Sequence, residues 1–327
     1  MTHVLILGAA GMIGARLAMR IAENGTIGGQ PVDRLTLADV VEPEAPAIAA
    51  APAALPIETF AADISDPETA ERLVCLKPDI IVHLAAIVSG EAEEDFDKGY
   101  RVNLEGTLRL LEALRAARHV PRLVFASSIA VYGAPYPERI TDEHHLTPLT
   151  SYGTQKAICE LLIADYSRKG YVDAVGLRLP TIVVRPGKPN KAASGFFSSI
   201  IREPLNGEVA TLPVPTTVRH WMASPRAAVS FLERAATMDT QPLEGRRNLT
   251  MPGISVTVQE QIDTLRELAG QQRVKLIRYQ PDERITAIVA GWPRDFNTFR
   301  ARSLGFAPDR SFTDIVRTYA TEEGIRL

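Results

Sequence analysis

The fold is decided by His3-Val-Leu-Ile-Leu-Gly8-Ala-Ala-Gly11-Met-Ile-Gly14, where an apolar run leads into three glycines spaced three residues apart. The first glycine permits a tight turn, the second lets backbone approach a pyrophosphate, and the third allows close packing of a helix on the strand. The phosphates then lie at the helix N-terminus. A glycine pattern also fits a turn that binds nothing, but its place between strand and helix favours dinucleotide binding. The predicted contacts are Gly8, Gly11, Met12, Ile13 and Gly14.

Apolar runs and helical patterns alternate through the first half of the chain. Strands are predicted at His3–Leu7, 34–38, Ile57–Ala61, 79–84, 122–126 and 173–177. The longest helices between them are predicted over 95–118 and Ser151–Arg168. Continuous apolar strands separated by amphipathic helices are typical of a parallel sheet covered on both faces. The predicted fold class is therefore α/β, a Rossmann-type doubly wound parallel sheet, and the Ala/Pro-rich stretch 43–56 is interpreted as a surface loop.

The pattern changes after about residue 185. Prolines become frequent, and helices such as 227–238 and Val258–Ala269 are joined by irregular segments. We predict a dinucleotide-binding domain over 1–184 and a smaller, mainly substrate-binding region over 185–327. Some elements of the second region are expected to pack back on the first domain.

Composition and charge exclude several classes of protein. The 327 residues include 36 Lys plus Arg and 39 Asp plus Glu, for a net charge of −3, and 46% are hydrophobic. This apolar content excludes disorder, and a nucleic-acid partner is not expected without a basic run. Cys75 and Cys159 lack metal-ligand spacing, so we expect buried thiols in a reducing compartment and no metal. No segment is typical of a signal peptide or membrane span, so we expect a cytoplasmic protein without a membrane partner.

Acidic residues end the second and third predicted strands. Asp39 lies 25 residues after Gly14. A carboxylate there accepts hydrogen bonds from the adenosine ribose and repels the additional phosphate of NADP, so NAD is the predicted cofactor. A simple strand-end cap is the alternative for Asp39. Asp63 is compatible both with an adenine contact and with a turn-forming role.

Tyr152 and Lys156 begin a predicted helix and share one face, because they lie four residues apart. An ammonium and a cationic nicotinamide ring lower the pKa of a phenol and make it a usable base, although the same spacing also fits a surface pair. Ser128 follows a strand at the carboxyl end, where open α/β sheets bind ligands, and is predicted to hold the substrate oxygen. Asn103 is predicted to anchor a water in the proton path, with a structural role as the alternative.

Several motifs together carry a family resemblance. They are the glycine turn, Asp39, His83-Leu-Ala-Ala86, Ser127-Ser128-Ile-Ala-Val-Tyr132-Gly and Tyr152-x-x-x-Lys156. Residues 3 to about 187 resemble the extended short-chain dehydrogenase/reductases, the NAD-dependent epimerase/dehydratase family. The resemblance implies that Ser128, Tyr152 and Lys156 form the catalytic group with Asn103, and that the two long helices pair in a homodimer. It further implies cofactor contacts at Asp63, Ile64, Leu84, Ala85, Ala86, Asn103, Tyr152, Lys156 and Pro180.

The second half departs from the nucleotide-sugar members of this family. The segment Arg219-His-Trp-Met-Ala-Ser-Pro-Arg226 replaces their Arg-Asp-Phe-x-His-Val-x-Asp. It resembles a subgroup that oxidises the C2 hydroxyl of four-carbon sugar acids. The substrate carboxylate then needs a cation, for which Arg219 with His220 is the first choice and Arg185 the second, while a structural ion pair is the alternative for Arg219. The predicted substrate contacts are Ser89, Ser128, Tyr152, Arg185, Arg219 and His220.

Three functions are compatible with these observations. They are a dehydrogenase that oxidises a small sugar acid, a nucleotide-sugar epimerase that retains tightly bound NAD, and a non-catalytic NAD-binding regulator. The intact set Ser128, Tyr152 and Lys156 argues against the regulator, because a sensor needs no base. The segment Ser127-Ser128-Ile129-Ala130 lacks the acidic pair expected of a dehydratase. The dehydrogenase is therefore the preferred prediction.

Overall fold

The computed structural model describes residues 1–47, 55–187 and 194–327. In chain order, the strands are β1 (His3–Leu7), β2 (Thr26–Ile27), β3 (Gln30–Pro31), β4 (Arg34–Asp39), β5 (Ile57–Ala61), β6 (Ile80–His83), β7 (Arg122–Ser128), β8 (Asp173–Leu179), β9 (Thr181–Ile182), β10 (Ala210–Leu212), β11 (Arg219–Ala223), β12 (Asn248–Thr250), β13 (Ile254–Thr257) and β14 (Ile277–Tyr279). The α-helices are α1 (Met12–Asn24), α2 (Pro67–Cys75), α3 (Ser89–Glu94), α4 (Phe96–Gly99), α5 (Gly106–Ala117), α6 (Ser151–Arg168), α7 (Gly195–Leu205), α8 (Pro225–Thr237), α9 (Val258–Ala269), α10 (Gln271–Val274), α11 (Glu283–Ala290), α12 (Phe299–Ser303) and α13 (Phe312–Glu322). Short non-α turns are the π-helix Tyr100–Glu105 and the 3₁₀ helices Ile129–Val131 and Gln241–Leu243.

A seven-stranded parallel sheet forms the centre of the molecule, in the order β12-β8-β7-β6-β1-β4-β5. From β1 the chain proceeds outward through β4 and β5, then returns to β6 and proceeds in the opposite direction. This reversal next to β1 creates a crevice at the carboxyl ends of the strands, where doubly wound sheets bind ligands. The predicted fold class is confirmed.

Alternating side chains of β1 show why both faces of the sheet are covered. Val4 and Ile6 point into a core formed with α1 and α8, whereas Leu5 and Leu7 point into a second core formed with α2, α5 and α6. All five residues of β1 are buried. A strand buried on both faces has no polar alternation, which is the pattern that predicted a parallel sheet.

The chain after residue 185 contributes to two parts of the fold, a separate small sheet with its helices and the central sheet. A three-stranded sheet, β13-β11-β9, packs with α7, α9 and α13 around a separate apolar cluster. By contrast, β12 pairs with β8 in the central sheet, and α8 covers the face that α1 also covers. β12 and α8 therefore pack back on the central sheet.

Two features differ from the sequence predictions. The helix predicted over 95–118 changes at residues 100–105 into a π turn, which widens the helix locally. Cys159 is buried as expected, but Cys75 at the end of α2 is exposed. In the stretch 43–56, residues 48–54 lie outside the described residues. Across the described ranges, every helix is too short or too polar to cross a membrane.

Candidate active site

The glycine turn brings three backbone segments closer together than side chains would allow. Gly8 has φ of +87°, and a Cβ added to it would lie 2.6 Å from the backbone nitrogen of Ala85. A Cβ added to Gly14 would lie 2.3 Å from the Gly8 carbonyl oxygen. Gly11 is the N-cap of α1 and provides no side-chain hydrogen bond. The surface of the glycine turn is therefore bare backbone. Together with the N–H groups of Met12 and Ile13 in the first turn of α1, it suits the binding of a pyrophosphate.

The two acidic strand ends have different surroundings. Asp39 lies beside the glycine turn, where its Oδ2 accepts the N–H of Ala10 at 3.0 Å. This position suits a ribose contact. The carboxylate of Asp63 accepts the N–H of Ser65 at 2.8 Å, which is the turn geometry considered as its alternative role. Ile64 is buried against Gly106 of α5. Cofactor contacts at Asp63 and Ile64 stay predictions.

The end of β7 and the first turns of α6 form the chemical centre of the site. Tyr152 and Ser128 both line the cleft, and the Ser128 hydroxyl is close enough to lower the pKa of Tyr152. The Nζ of Lys156 donates to the Ala126 carbonyl at 2.8 Å and lies 5.7 Å from the centre of the Tyr152 ring. A phenol, a hydroxyl and an ammonium are thus held together at the crevice, as their positions in the sequence predicted.

Burial dominates the ionisation of this centre. It raises the pKa of Tyr152 to about 12, while the positive charge of Arg185 and the hydrogen bond with Ser128 oppose the rise. It also lowers the pKa of Lys156 to about 8. The sequence had suggested the Lys156 ammonium as the neighbouring cation that favours the phenolate. In the structure Arg185 is the cation that opposes the rise in the pKa of Tyr152.

Asn103 lies in the π turn and is buried. Its Oδ1 accepts the N–H of Ile87 at 2.9 Å, and its Nδ2 donates to Gln155 Oε1 at 2.7 Å. The amide therefore connects the loop after β6 to α6 beside the catalytic group. These contacts fit the structural alternative for Asn103, and its role in proton transfer stays a prediction.

A cleft of about 1170 Å³ opens over this centre. Its lining includes nine of the predicted site residues, namely Leu84, Ala86, Ser89, Ser128, Tyr152, Lys156, Pro180, Arg185 and His220. Segments before and after residue 185 both contribute, so the cleft lies between the central sheet and the smaller region. Trp292, Ser199 and Thr211 line the cleft as well. None of these three residues was predicted as a substrate contact.

Arg185 is held in the cleft by several hydrogen bonds. Its Nε donates to the Ile182 carbonyl at 3.0 Å, and its backbone N–H donates to Ser198 Oγ at 3.1 Å. Arg202 donates to the Arg185 carbonyl at 2.8 Å. A guanidinium fixed in this way beside Tyr152 suits a planar anion such as a carboxylate.

The first-choice carboxylate anchor, Arg219 with His220, does not assemble. Arg219 is 40% exposed and forms an ion pair with Glu260 at 3.4 Å outside the cleft lining. Its neighbour on the strand points the opposite way, because successive side chains alternate. His220 is buried, its Nε2 lies 2.6 Å from Thr181 Oγ1, and burial lowers its pKa to about 4. A neutral histidine supplies no charge for a carboxylate, so Arg219 and His220 do not form the joint cationic site that the sequence predicts, whereas Arg185, the second choice, lines the cleft.

A buried ion pair behind the catalytic group was not foreseen. Arg178 of β8 donates to both carboxylate oxygens of Glu160, at 2.8–3.0 Å. Ser127 donates to the same carboxylate at 2.5 Å. One sequence signal was present, because Glu160 lies one helical turn after Lys156.

The model of the NAD dependent epimerase/dehydratase family matches residues 4–225. The chain belongs to this family. Its fold and catalytic centre agree with that membership, and the protein is an NAD-dependent oxidoreductase with NAD as cofactor. The glycine turn and Asp39 provide the surfaces that such a cofactor requires.

Two relatives in the family are named D-erythronate dehydrogenase. The protein from Cupriavidus necator is 45% identical, with 99% of each chain aligned. The protein from Haemophilus influenzae is 41% identical, covering 97% of this chain and 98% of the relative.

A solved structure described as the nucleoside-diphosphate-sugar epimerase from Agrobacterium tumefaciens is 56% identical, with a TM-score of 0.94 over 98% of this chain and 94% of that one. An L-threonine dehydrogenase from Cupriavidus necator shares the fold at 23% identity, with a TM-score of 0.83 over 98% and 99% of the two chains.

Proposed function

We propose that the protein oxidises the C2 hydroxyl of a short sugar acid, with D-erythronate as the first candidate and a 2-oxo-tetronate as the product. The observation that carries this proposal is the position of Arg185 beside Tyr152. If Arg185 binds the substrate carboxylate, the carbon next to that carboxylate presents its hydroxyl to the phenol. The names of the Cupriavidus and Haemophilus relatives support the same substrate.

The proposed chemistry uses the side chains at the end of β7 and on α6. Tyr152 takes the hydroxyl proton, Ser128 holds the substrate oxygen, and Lys156 binds the nicotinamide ribose and stabilises the phenolate by its charge. When bound, NAD supplies the acceptor for the hydride that leaves C2. Arg185 and Ser89 orient the acid within the cleft. Asn103 assists release of the proton to water.

The test of the reaction is absorbance at 340 nm with NAD and a panel of aldonic acids, beside UDP-sugars analysed for interconversion. We expect NADH formation with D-erythronate and no interconversion of UDP-sugars. An enzyme that ignores every aldonate and interconverts UDP-sugars would refute the dehydrogenase proposal.

A nucleotide-sugar epimerase retaining tightly bound NAD is the second candidate. The name of the Agrobacterium relative favours it. A purified protein that carries NAD through gel filtration and forms no free NADH with aldonates would support this alternative. The third candidate, a non-catalytic regulator, is disfavoured by the assembled Tyr152, Lys156 and Ser128.

Two further parts of the organisation are proposed. The region 185–327 mainly provides the substrate side of the cleft, because Arg185, His220 and Trp292 come from it.

We also propose a homodimer through the helical segment 96–117 and α6, where Phe96 is 57% and Leu161 is 68% exposed. Burial of such side chains between two copies stabilises association. Light scattering at micromolar concentration should give twice the 35.7 kDa chain mass, and a monomer would contradict the dimer.

A further inference from the structure

Three successive turns of α6 contact the end of β7. Tyr152 lies beside Ser128, Lys156 donates to the Ala126 carbonyl, and Glu160 accepts from Ser127 Oγ at 2.5 Å. The three helix residues are spaced by four and therefore share one face. The first two contacts belong to the catalytic group. The third contact, between Glu160 and Ser127, lies further along the same helix face, in the protein interior.

Glu160 connects two neighbouring strands at this point. Ser127 and Arg178 are directly paired across β7 and β8, so both side chains lie on the same face of the sheet and meet the carboxylate together. Glu160 is fully buried, and Arg178 is 6% exposed. A charge-assisted, two-pronged hydrogen bond from an arginine fixes both position and orientation of a carboxylate. The ends of β7 and β8 are consequently tied to α6 beside the reacting centre.

We infer that Glu160 is a positioning residue for the oxidation: through Ser127 it fixes the strand end that carries Ser128, and its carboxylate, one helical turn after Lys156, supplies a negative charge on the side of that ammonium. This inference rests on the catalytic roles proposed above for Ser128 and Lys156. It does not depend on the identity of the substrate.

The groups around Lys156 explain how the charge of Glu160 affects this ammonium. Burial lowers the pKa of Lys156 to about 8, while Cys159 and Glu160 oppose that shift. Burial also raises the pKa of the Cys159 thiol, which is therefore neutral near pH 7 and leaves Glu160 as the opposing charge.

Among the residues that the structure describes, the other groups in contact with Lys156 carry no negative charge near pH 7, and Arg178, which is paired with Glu160, adds a positive charge on that side. On β7 these are the Phe125 ring, 4.6 Å from Nζ, and the Ala126 carbonyl. From β6, His83 is neutral because burial lowers its pKa to about 3. On α6, Tyr152 is a neutral phenol.

The direct test is NMR of the cofactor-free protein labelled with [ε-¹³C]lysine, because the chain has only seven lysines. The Lys156 signal is assigned by its loss in Lys156→Arg. In Glu160→Gln we expect the Lys156 pKa to fall by about one unit or more, the size of shift that a lost neighbouring charge produces. The alkaline limb of the pH profile of kcat/KM should move by the same amount.

Ser127→Ala separates positioning from charge. It removes the hydrogen bond to Glu160 and keeps the Arg178 ion pair, so it remains testable if Glu160→Gln does not fold. We expect the Lys156 pKa to be unchanged and kcat to fall about 3- to 10-fold, because a small displacement of Ser128 weakens the alignment of the reacting atoms.

The matched control lies at the opposite end of the same two strands. Asp173 forms an ion pair with Arg122 there, at 2.8 Å. Asp173→Asn should lower Tm and leave both kcat and the Lys156 pKa unchanged. An unchanged Lys156 pKa in Glu160→Gln overturns the electrostatic role, and unchanged kcat in Ser127→Ala overturns the positioning role. An equal pKa shift in the control would show that any lost carboxylate has this effect, which also overturns the proposal.

Discussion

The proposed cofactor side and the proposed substrate side of the active site differ in what forms their surfaces. On the cofactor side, bare backbone at Gly8, Gly11 and Gly14 forms the surface, and a Cβ at two of these positions would collide with main chain. On the substrate side, side chains such as Arg185 and His220 project from separate segments. A backbone surface fits one cofactor and tolerates little change. A side-chain surface can be altered without affecting the fold, so we expect the substrate to be selected there.

The largest effect is expected at the centre that both sides share. Tyr152→Phe removes the proton acceptor and keeps the ring, so we expect kcat to fall about 10²- to 10⁴-fold with NADH affinity nearly unchanged. Steady-state kinetics and fluorescence titration with NADH measure the two quantities. Substantial residual turnover would mean that another group is the base.

The next largest effect is expected on the substrate side alone. Arg185→Leu removes a charge-assisted bond worth about 1.5 to 3 kcal/mol, so KM for D-erythronate should rise about 10- to 150-fold. The KM for NAD should be unaffected, because the glycine turn and Asp39 are untouched. If both KM values rise together, the two sides are not independent and the comparison fails.

The pH dependence of kcat/KM for NAD tests the role of Lys156 on the cofactor side. Lys156 is charged below its pKa of about 8 and neutral above it. Since kcat/KM for NAD reports groups of the free enzyme, it should fall about tenfold per pH unit above pH 8. A profile that stays flat from pH 8 to 10 would contradict a need for charged Lys156.

The smallest effect is expected from a matched arginine outside the cleft. Arg219→Leu breaks an exposed ion pair with Glu260, and such pairs contribute about 0.2 to 1 kcal/mol. We expect all kinetic constants to change less than about fivefold. A rise in the KM for D-erythronate as large as that of Arg185→Leu would return the carboxylate anchor to Arg219.

The sequence predicted best where chemistry depends on backbone or on neighbours within one element. Gly8 to Gly14 lie in one turn, and Tyr152 with Lys156 in one helix, so spacing alone places them. Arg219 was misplaced because the face of a short strand such as β11 depends on its partners, β9 and β13. Glu160 was missed because its partner Arg178 lies on another strand, and only the register of β7 with β8 brings them together.

The π turn at Tyr100–Glu105 amounts to one surplus residue inside a helix. Each residue advances an α-helix by about 100°, so deleting one residue there would restore α geometry and rotate the Asn103 amide away from Ile87 and Gln155. The buried residues of α5 would keep their positions relative to one another, because the deletion lies before this helix. A single-codon deletion there, which changes no charge in the cleft, would therefore disconnect the loop after β6 from α6.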